Sequence, residues 1–217
     1  EIKRGIGRER GDDDVLRLMH RTDTLNFAPG SQYHYSNSAF VLLGLIVAHA
    51  SGTPFPRFLH DRIFAPLHMD STVAYVKGTS RVPNRAYGYT GDSTGHFTRT
   101  DQSSTSATLG DGGVYTSVAD MAKWSNALDN AALVDSATMR QAWSPTMLTT
   151  GKESGYGFGW FVDTVDGRLQ LRHHGESTGF TNGILKYPAR KLTIVVLTNR
   201  TGGTPWAICD SIAALFP

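Results

Sequence analysis

Two short stretches of this 217-residue sequence hold side chains whose types and spacing could do chemistry. In the first, a turn rich in Pro, Gly, Ser and Asn presents Tyr35, Ser36 and Asn37 immediately before a nearly continuous apolar block at 39–50. A polar turn anchored on a buried helix is rigid, which is what a catalytic loop needs. The plainer alternative is that Pro29 and Gly30 mark an ordinary turn and that Asn37 or Ser38 caps the helix. The second stretch, His173-His174-Gly175-Glu176-Ser177-Thr178-Gly179, contains two imidazoles and a G-x-S-x-G pattern. That pattern is the signature of a serine nucleophile on a strand-to-helix elbow.

The elbow fails on its own requirements. It needs a helix directly after the serine and a histidine later in the chain. The residues from Phe180 to Tyr187 read as a strand, and no histidine follows His174. Ser177 is therefore expected in a turn. The adjacent histidines, read on a strand, point to opposite faces and cannot easily share one metal, so no metal site is expected. One of them could equally be a core or interface histidine.

The elements that position these stretches follow from pattern. The block 39–50 is too long for an ordinary strand and too short to span a bilayer, so it reads as a core helix needing neighbours all round. Ser51-Gly52 ends it in the manner of an αL cap. Upstream, residues 1–12 read as a loop or frayed end, followed by a short helix through Arg21, capped by Asp13 or Asp14, with Val15, Leu16, Leu18 and Met19 inward. Downstream, Thr53 and Pro54 open a helix that Pro66 stops. Residues 73–113, rich in Gly, Ser, Thr and Asp, read as an irregular excursion with short strands around 86–89, where substrate specificity is expected.

Ser117-Val-Ala-Asp120 has the form of a capping box for a helix to about Leu128, burying Met121, Trp124 and Leu128. A short helix follows at 136–143. Four strand candidates come next, at 156–162, 169–173, 181–187 and 192–199, with Asp166-Gly167 as a hairpin signal. Their short connections require antiparallel pairing. A helix at 205–215 lies on that sheet. The fold class is thus α+β: an antiparallel sheet flanked by helices plus a mainly helical lobe. One domain is expected over 1–217, with a helical and loop lobe at 1–150 and the sheet and last helix at 151–217.

Composition narrows the partners. Lys and Arg number 21 against 19 Asp and Glu, interspersed, which recommends neither nucleic acid nor a membrane surface. Cys209 stands alone in an apolar segment and reads as a buried, inert thiol. Residues 1–7 hold no apolar h-region, and the compartment is not legible. Asn199-Arg200-Thr201 fits a glycosylation sequon, a pattern short enough to arise by chance.

Taken together, the Tyr-x-Asn at 35–37 before a Leu-Leu-Gly helix, the Pro66-Leu-His-Met phrase and the His173-His174-Gly175 triplet resemble the serine β-lactamase-like family. Its members include class C β-lactamases, penicillin-recognising DD-peptidases and related esterases. The resemblance implies an acyl-enzyme serine hydrolase. Tyr35 would be the proton shuttle, its phenol activated by neighbouring cations. Asn37 would hold the substrate amide or ester. His173, where lactamases have lysine, would be a cation or donor toward Tyr35 and the substrate, and should face the site while His174 does not. Gly175 would let the strand lie close to the acyl group, and the Glu176 N–H would be one oxyanion donor.

One part of the pattern is missing. The family's nucleophile lies in Ser-x-x-Lys, and no serine in this sequence has lysine three residues on. The resemblance covers roughly the C-terminal two-thirds of a catalytic domain. The expectation is that the motif lies upstream, and that without it the chain is inactive and either self-associates or lacks a covering segment. The competing reading is a noncatalytic binding or scaffolding module of the same fold. No cofactor is expected. With histidine largely neutral at pH 7, short esters, D-amino-acid amides or peptides are favoured over β-lactams.

Overall fold

The computed structural model describes residues 9–216. Expectations for residues 1–8 lie outside them. Helix α1 spans Asp12–Met19 and is capped by Gly11, not by Asp13 or Asp14. The three aspartates sit in its first turn, where the dipole favours them, and Asp14 accepts a hydrogen bond from the Gly11 N–H. Met19, expected inward, is exposed.

Helix α2, Asn37–Ser51, is capped by the Ser36 hydroxyl, which accepts from the Ala39 N–H, so the cap precedes both residues expected to supply it. Gly52 closes it with φ 65°, the αL cap read from the sequence. The expectation of burial all round is not met within the described residues. Val41 and Gly44 are buried, whereas Leu43 is 52% and Ile46 59% exposed. The inward face is set by a backbone contact: a Cβ on Gly44 would lie 2.9 Å from the Gly110 Cα.

Helix α3, Phe55–Leu59, starts after Pro54 instead of at Thr53 and runs into a π-helical turn, His60–Phe64. Phe64, Met69 and Ala74 form a small core beneath it. The excursion that follows holds two hairpin-like pairs. Strand β1 (Val73–Ala74) pairs with β4 (Val114–Tyr115), and between them β2 (Tyr89–Gly91) pairs with β3 (Phe97–Arg99). Helix α4 spans Val118–Asp129. Only half of its capping box forms: Ser117 accepts from the Asp120 N–H, but the buried Asp120 carboxylate turns away to Ser71, Thr72 and Lys123. Burial alone would raise the Asp120 pKa; those hydrogen bonds outweigh it and hold the carboxyl below its usual range. Helix α5 is Ser136–Ala142, capped by Asp135.

The main sheet is an antiparallel meander of β5 (Phe161–Val165), β6 (Arg168–Ser177), β7 (Phe180–Tyr187) and β8 (Leu192–Thr198), in that spatial order. It is followed by helix α6, Pro205–Ala213. The first strand starts five residues later than expected, because Tyr156 to Trp160 bend out of the sheet. The second runs on to Ser177, which therefore closes a strand and not an elbow. Alternate side chains of β7 serve opposite faces. Leu185 packs with Ile194 and Cys209 under α6, and Lys186 points to α4. On the α4 face Leu128, Met139, Trp160 and Leu171 form the largest shared core.

That face also holds a buried ion pair. The Lys186 ammonium, fully buried, lies 2.6 Å from Asp129 and donates to Ser125 and Thr193. Removing one partner strands a charge in the interior, a loss of about 3–5 kcal/mol, whereas apolar replacement of both is often neutral. Asp129→Asn should therefore lower stability in urea unfolding by several kcal/mol on that scale, and a Lys186→Met, Asp129→Leu double variant should recover most of it. Unchanged stability in the single variant would show that the pair does not hold α4 to the sheet.

Candidate active site

The loop before α2 is fastened at two points. The Gly30 carbonyl accepts from the Thr149 N–H at 2.9 Å, with Gly30 at φ 77°, and Ser36 caps the helix. Between them, Tyr33 stacks on Tyr156 with ring centroids 5.1 Å apart. Tyr35 is left 39% exposed, its ring 5.8 Å from that of His173. Asn37, the first residue of α2, is exposed beside it.

The other wall is the end of β6, and its backbone direction follows from register. Asp166-Gly167 and Thr178-Gly179 are two-residue turns, and residues flanking such a turn exchange hydrogen bonds. Val165 is thus bonded to Arg168, and Ser177 to Phe180. With bonding alternating along a strand, odd-numbered residues of β6 turn their N–H and C=O to β7. Even-numbered ones turn theirs to β5. But β5 ends its pairing at Phe161 opposite Arg172. The amide groups of His174 and Glu176 consequently face an edge that no described strand covers. Gly175 lies between them, and a Cβ there would meet nothing within 4 Å, so packing does not require glycine at that position.

His173 is held by both ring nitrogens. Nδ1 lies 2.7 Å from the His174 carbonyl, which can only accept, so Nδ1 carries a proton. Nε2 lies 2.9 Å from the Tyr156 hydroxyl. Burial holds the His173 pKa below the usual histidine range, outweighing the hydrogen bond to the His174 carbonyl, which raises it; the ring is neutral at pH 7 and Nε2 accepts from Tyr156. The expected free donor toward Tyr35 is absent in this state. The Tyr35 pKa is raised, first by burial and then by the charge of Asp111, so its surroundings among the described residues do not activate the phenol as expected. The two histidines do not separate cleanly either. Their rings stack 5.8 Å apart and both border the same cavity, because the His173 ring folds back onto the His174 carbonyl.

The cavity between these walls has a volume of about 1090 Å³. Tyr35, Asn37, His173, Gly175 and Glu176 all line it. So do residues the sequence did not single out. Arg85 binds Asp101 and the Tyr115 hydroxyl at 2.5 Å each and sits against the rings of Tyr75, Tyr87 and Tyr115. Asp111 projects from the 109–113 loop. Tyr156, which is not a lining residue but binds the His173 ring that is, was read only as the start of a strand. The signal present was Tyr156-Gly-Phe-Gly-Trp: a Cβ on Gly157 would fall 2.3 Å from the Ala142 carbonyl, so this turn has to be glycine and hold its aromatics in place.

A measurable consequence attaches to Tyr156, whose own pKa is pushed above the phenol range by burial, then by Tyr35 and Tyr33. Its donated hydrogen bond favours neutral His173. Tyr156→Phe should therefore move the His173 pKa upward, read as the histidine ring shifts in an NMR titration. A pKa that stays put or falls would show that the hydroxyl does not set the ring's protonation.

Comparison with known proteins bears on the whole arrangement. A family profile described as Beta-lactamase matches residues 5–215. The chain is 29% identical over 206 residues to penicillin-binding protein 4* of Bacillus subtilis, covering 89% of this chain and 46% of that protein. It is 28% identical over 204 residues to a D-aminopeptidase of Gluconobacter oxydans, covering 94% of this chain and 38% of that one. The octameric penicillin-binding protein homologue from Pyrococcus abyssi superposes with a TM-score of 0.84 at 23% identity, over 99% of this chain and 50% of that chain. The chain thus spans less than half the length of these two curated relatives. With the profile match running over nearly the whole chain and the fold shared, the chain belongs to the beta-lactamase family of serine hydrolases.

Proposed function

We propose that the whole protein is an acyl-enzyme serine hydrolase of esters, amides or D-amino-acid peptides, and that this chain supplies Tyr35, Asn37, His173 and the Glu176 N–H to its site, with the nucleophile and its lysine coming from the rest of the protein. The observation that carries the reading is that Tyr35, Asn37 and the uncovered edge at Glu176 line one cavity in a chain of this family. Its similarity to a penicillin-binding protein and to a D-aminopeptidase supports the substrate class.

In this mechanism a serine hydroxyl attacks the substrate carbonyl at the β6 edge. The developing oxyanion accepts from the Glu176 N–H, which costs no reorganisation because the strand already holds it. Asn37 orients the substrate amide or ester. Tyr35 carries the proton from the nucleophile to the leaving group, and water repeats the sequence in reverse to release the acyl group. His173 underlies Tyr35 as a neutral ring and becomes a donor only once protonated at Nε2. A neutral ring gives little attraction to the carboxylate of a β-lactam, which favours the other substrates.

The acylated serine is taken to come from a Ser-x-x-Lys segment of the whole protein, packed on the outward face of α2 where Leu43 and Ile46 are exposed. Its lysine would supply the cation that Tyr35 lacks here. In an enzyme that includes this segment, Tyr35→Phe should lower ester turnover at least about a hundredfold; near-normal turnover would remove Tyr35 from the mechanism. The 217-residue chain alone should take up no fluorophosphonate probe by intact mass. Stoichiometric labelling of Ser36 or Ser177 would overturn the assignment of the nucleophile.

A further inference from the structure

The charges around the cavity do not balance. Its one arginine among the described residues, Arg85, is neutralised by Asp101 and enclosed by tyrosine rings. His173 is neutral. Two further carboxylates, Asp111 and Glu176, line the same space. Among the described residues neither has a hydrogen bond or an ion pair. For Asp111 this is the more telling, because its Oδ1 is shut off from water and still has no partner. A turn aspartate ordinarily accepts from its own backbone two residues on, and a buried carboxylate left unpaired is costly. An orphan group of this kind calls for a function.

The carboxylate is also held in place. Its neighbour Gly110 lies so close to α2 that a Cβ would fall 2.4 Å from the Phe40 carbonyl, and Gly113 turns the loop back at φ 69°. Asp111 is therefore fixed beside the first turn of α2, which carries Asn37. Its field reaches the Tyr35 phenol.

We propose that Asp111 is the specificity residue of this site and binds the free α-ammonium of an amino-acid amide, ester or peptide, with Glu176 adding a second negative charge from the sheet side. An ammonium supplies the donors the carboxylate lacks and forms the strong class of charge-assisted hydrogen bond. Substrates that bring a carboxylate to the same place are repelled. The inference rests on the proposed acyl-transfer reading for where the scissile bond lies, but ammonium binding is measurable without turnover.

The test is calorimetric titration with phenylalaninol and N-acetylphenylalaninol, which have no acyl bond to cleave. Phenylalaninol should bind at least about tenfold more tightly, the scale of a hydrogen bond to a charged group, and added salt should narrow the gap. Asp111→Asn should abolish the preference while leaving the weaker N-acetyl binding in place, with Glu176→Gln reducing it less. Equal affinity of the wild-type protein for both ligands would overturn the proposal whether or not any variant folds. So would a preference that survives Asp111→Asn, or tighter binding of phenylacetate. An amine preference in an enzyme that includes the Ser-x-x-Lys segment but forms no acyl-enzyme would leave the ammonium subsite standing and sink the hydrolase reading instead.

Discussion

Two-residue turns close β6 at both ends, and the ten-residue strand between them has no freedom to slip. Arg168 must bond outward to β5 and Ser177 outward to β7; they are an odd number of residues apart, so one alternating strand satisfies both. A slip by one residue would carry Leu171, fully buried against Trp160 and Leu128, onto the wrong face. The same register turns the amides of His174 and Glu176 to the side where β5 has already stopped. The availability of the Glu176 N–H is thus a by-product of turn spacing and of a β5 that pairs only as far as Phe161.

The opposite wall depends on bare backbone. Gly44 in α2 lies against the Gly110 Cα, and Gly110 in the 109–113 loop against the backbone of Phe40 and Val41, too closely for either to carry a side chain, and this contact brings Asp111 to the helix end that bears Asn37. Aromatic rings then join the walls. Tyr33, Tyr35, Tyr156, Phe161 and His173 pack with centroids 5.0–6.1 Å apart, so the loop and the strand are registered against each other through a common cluster. The Lys186–Asp129 pair and the α4 core anchor the sheet beneath.

The sequence carried the local signals well and the long-range ones poorly. Gly52 as an αL cap and Asp166-Gly167 as a hairpin are dictated within a few residues, and both are where the pattern puts them. Caps slipped by one to three positions at α1, α2 and α3, because several candidate residues stand side by side and backbone geometry decides among them. The apolar run in α2 announced a helix but not which face the described residues would leave uncovered. Tyr35, Asn37, His173, Gly175 and Glu176 do line one cavity. What no local pattern could show was that both His173 nitrogens are occupied, that Arg85 is boxed in by tyrosines up to 30 residues away, or that Asp111 has no partner among the described residues.

These last features bear on one another. A phenol raised above its ordinary pKa gives up a proton reluctantly, and a shuttle has to give as well as take. In the described residues burial and Asp111 both push Tyr35 the wrong way, and neutral His173 offers no cation to offset them. An ammonium docked on Asp111 would cancel the field of that carboxylate and so remove one of the two influences on Tyr35. In the proposed complex, then, the group that identifies the substrate also prepares the phenol, and a substrate lacking the free amine loses both the binding contact and part of the proton transfer. Specificity of this kind appears in turnover more strongly than in affinity, because the second effect operates only while the proton moves.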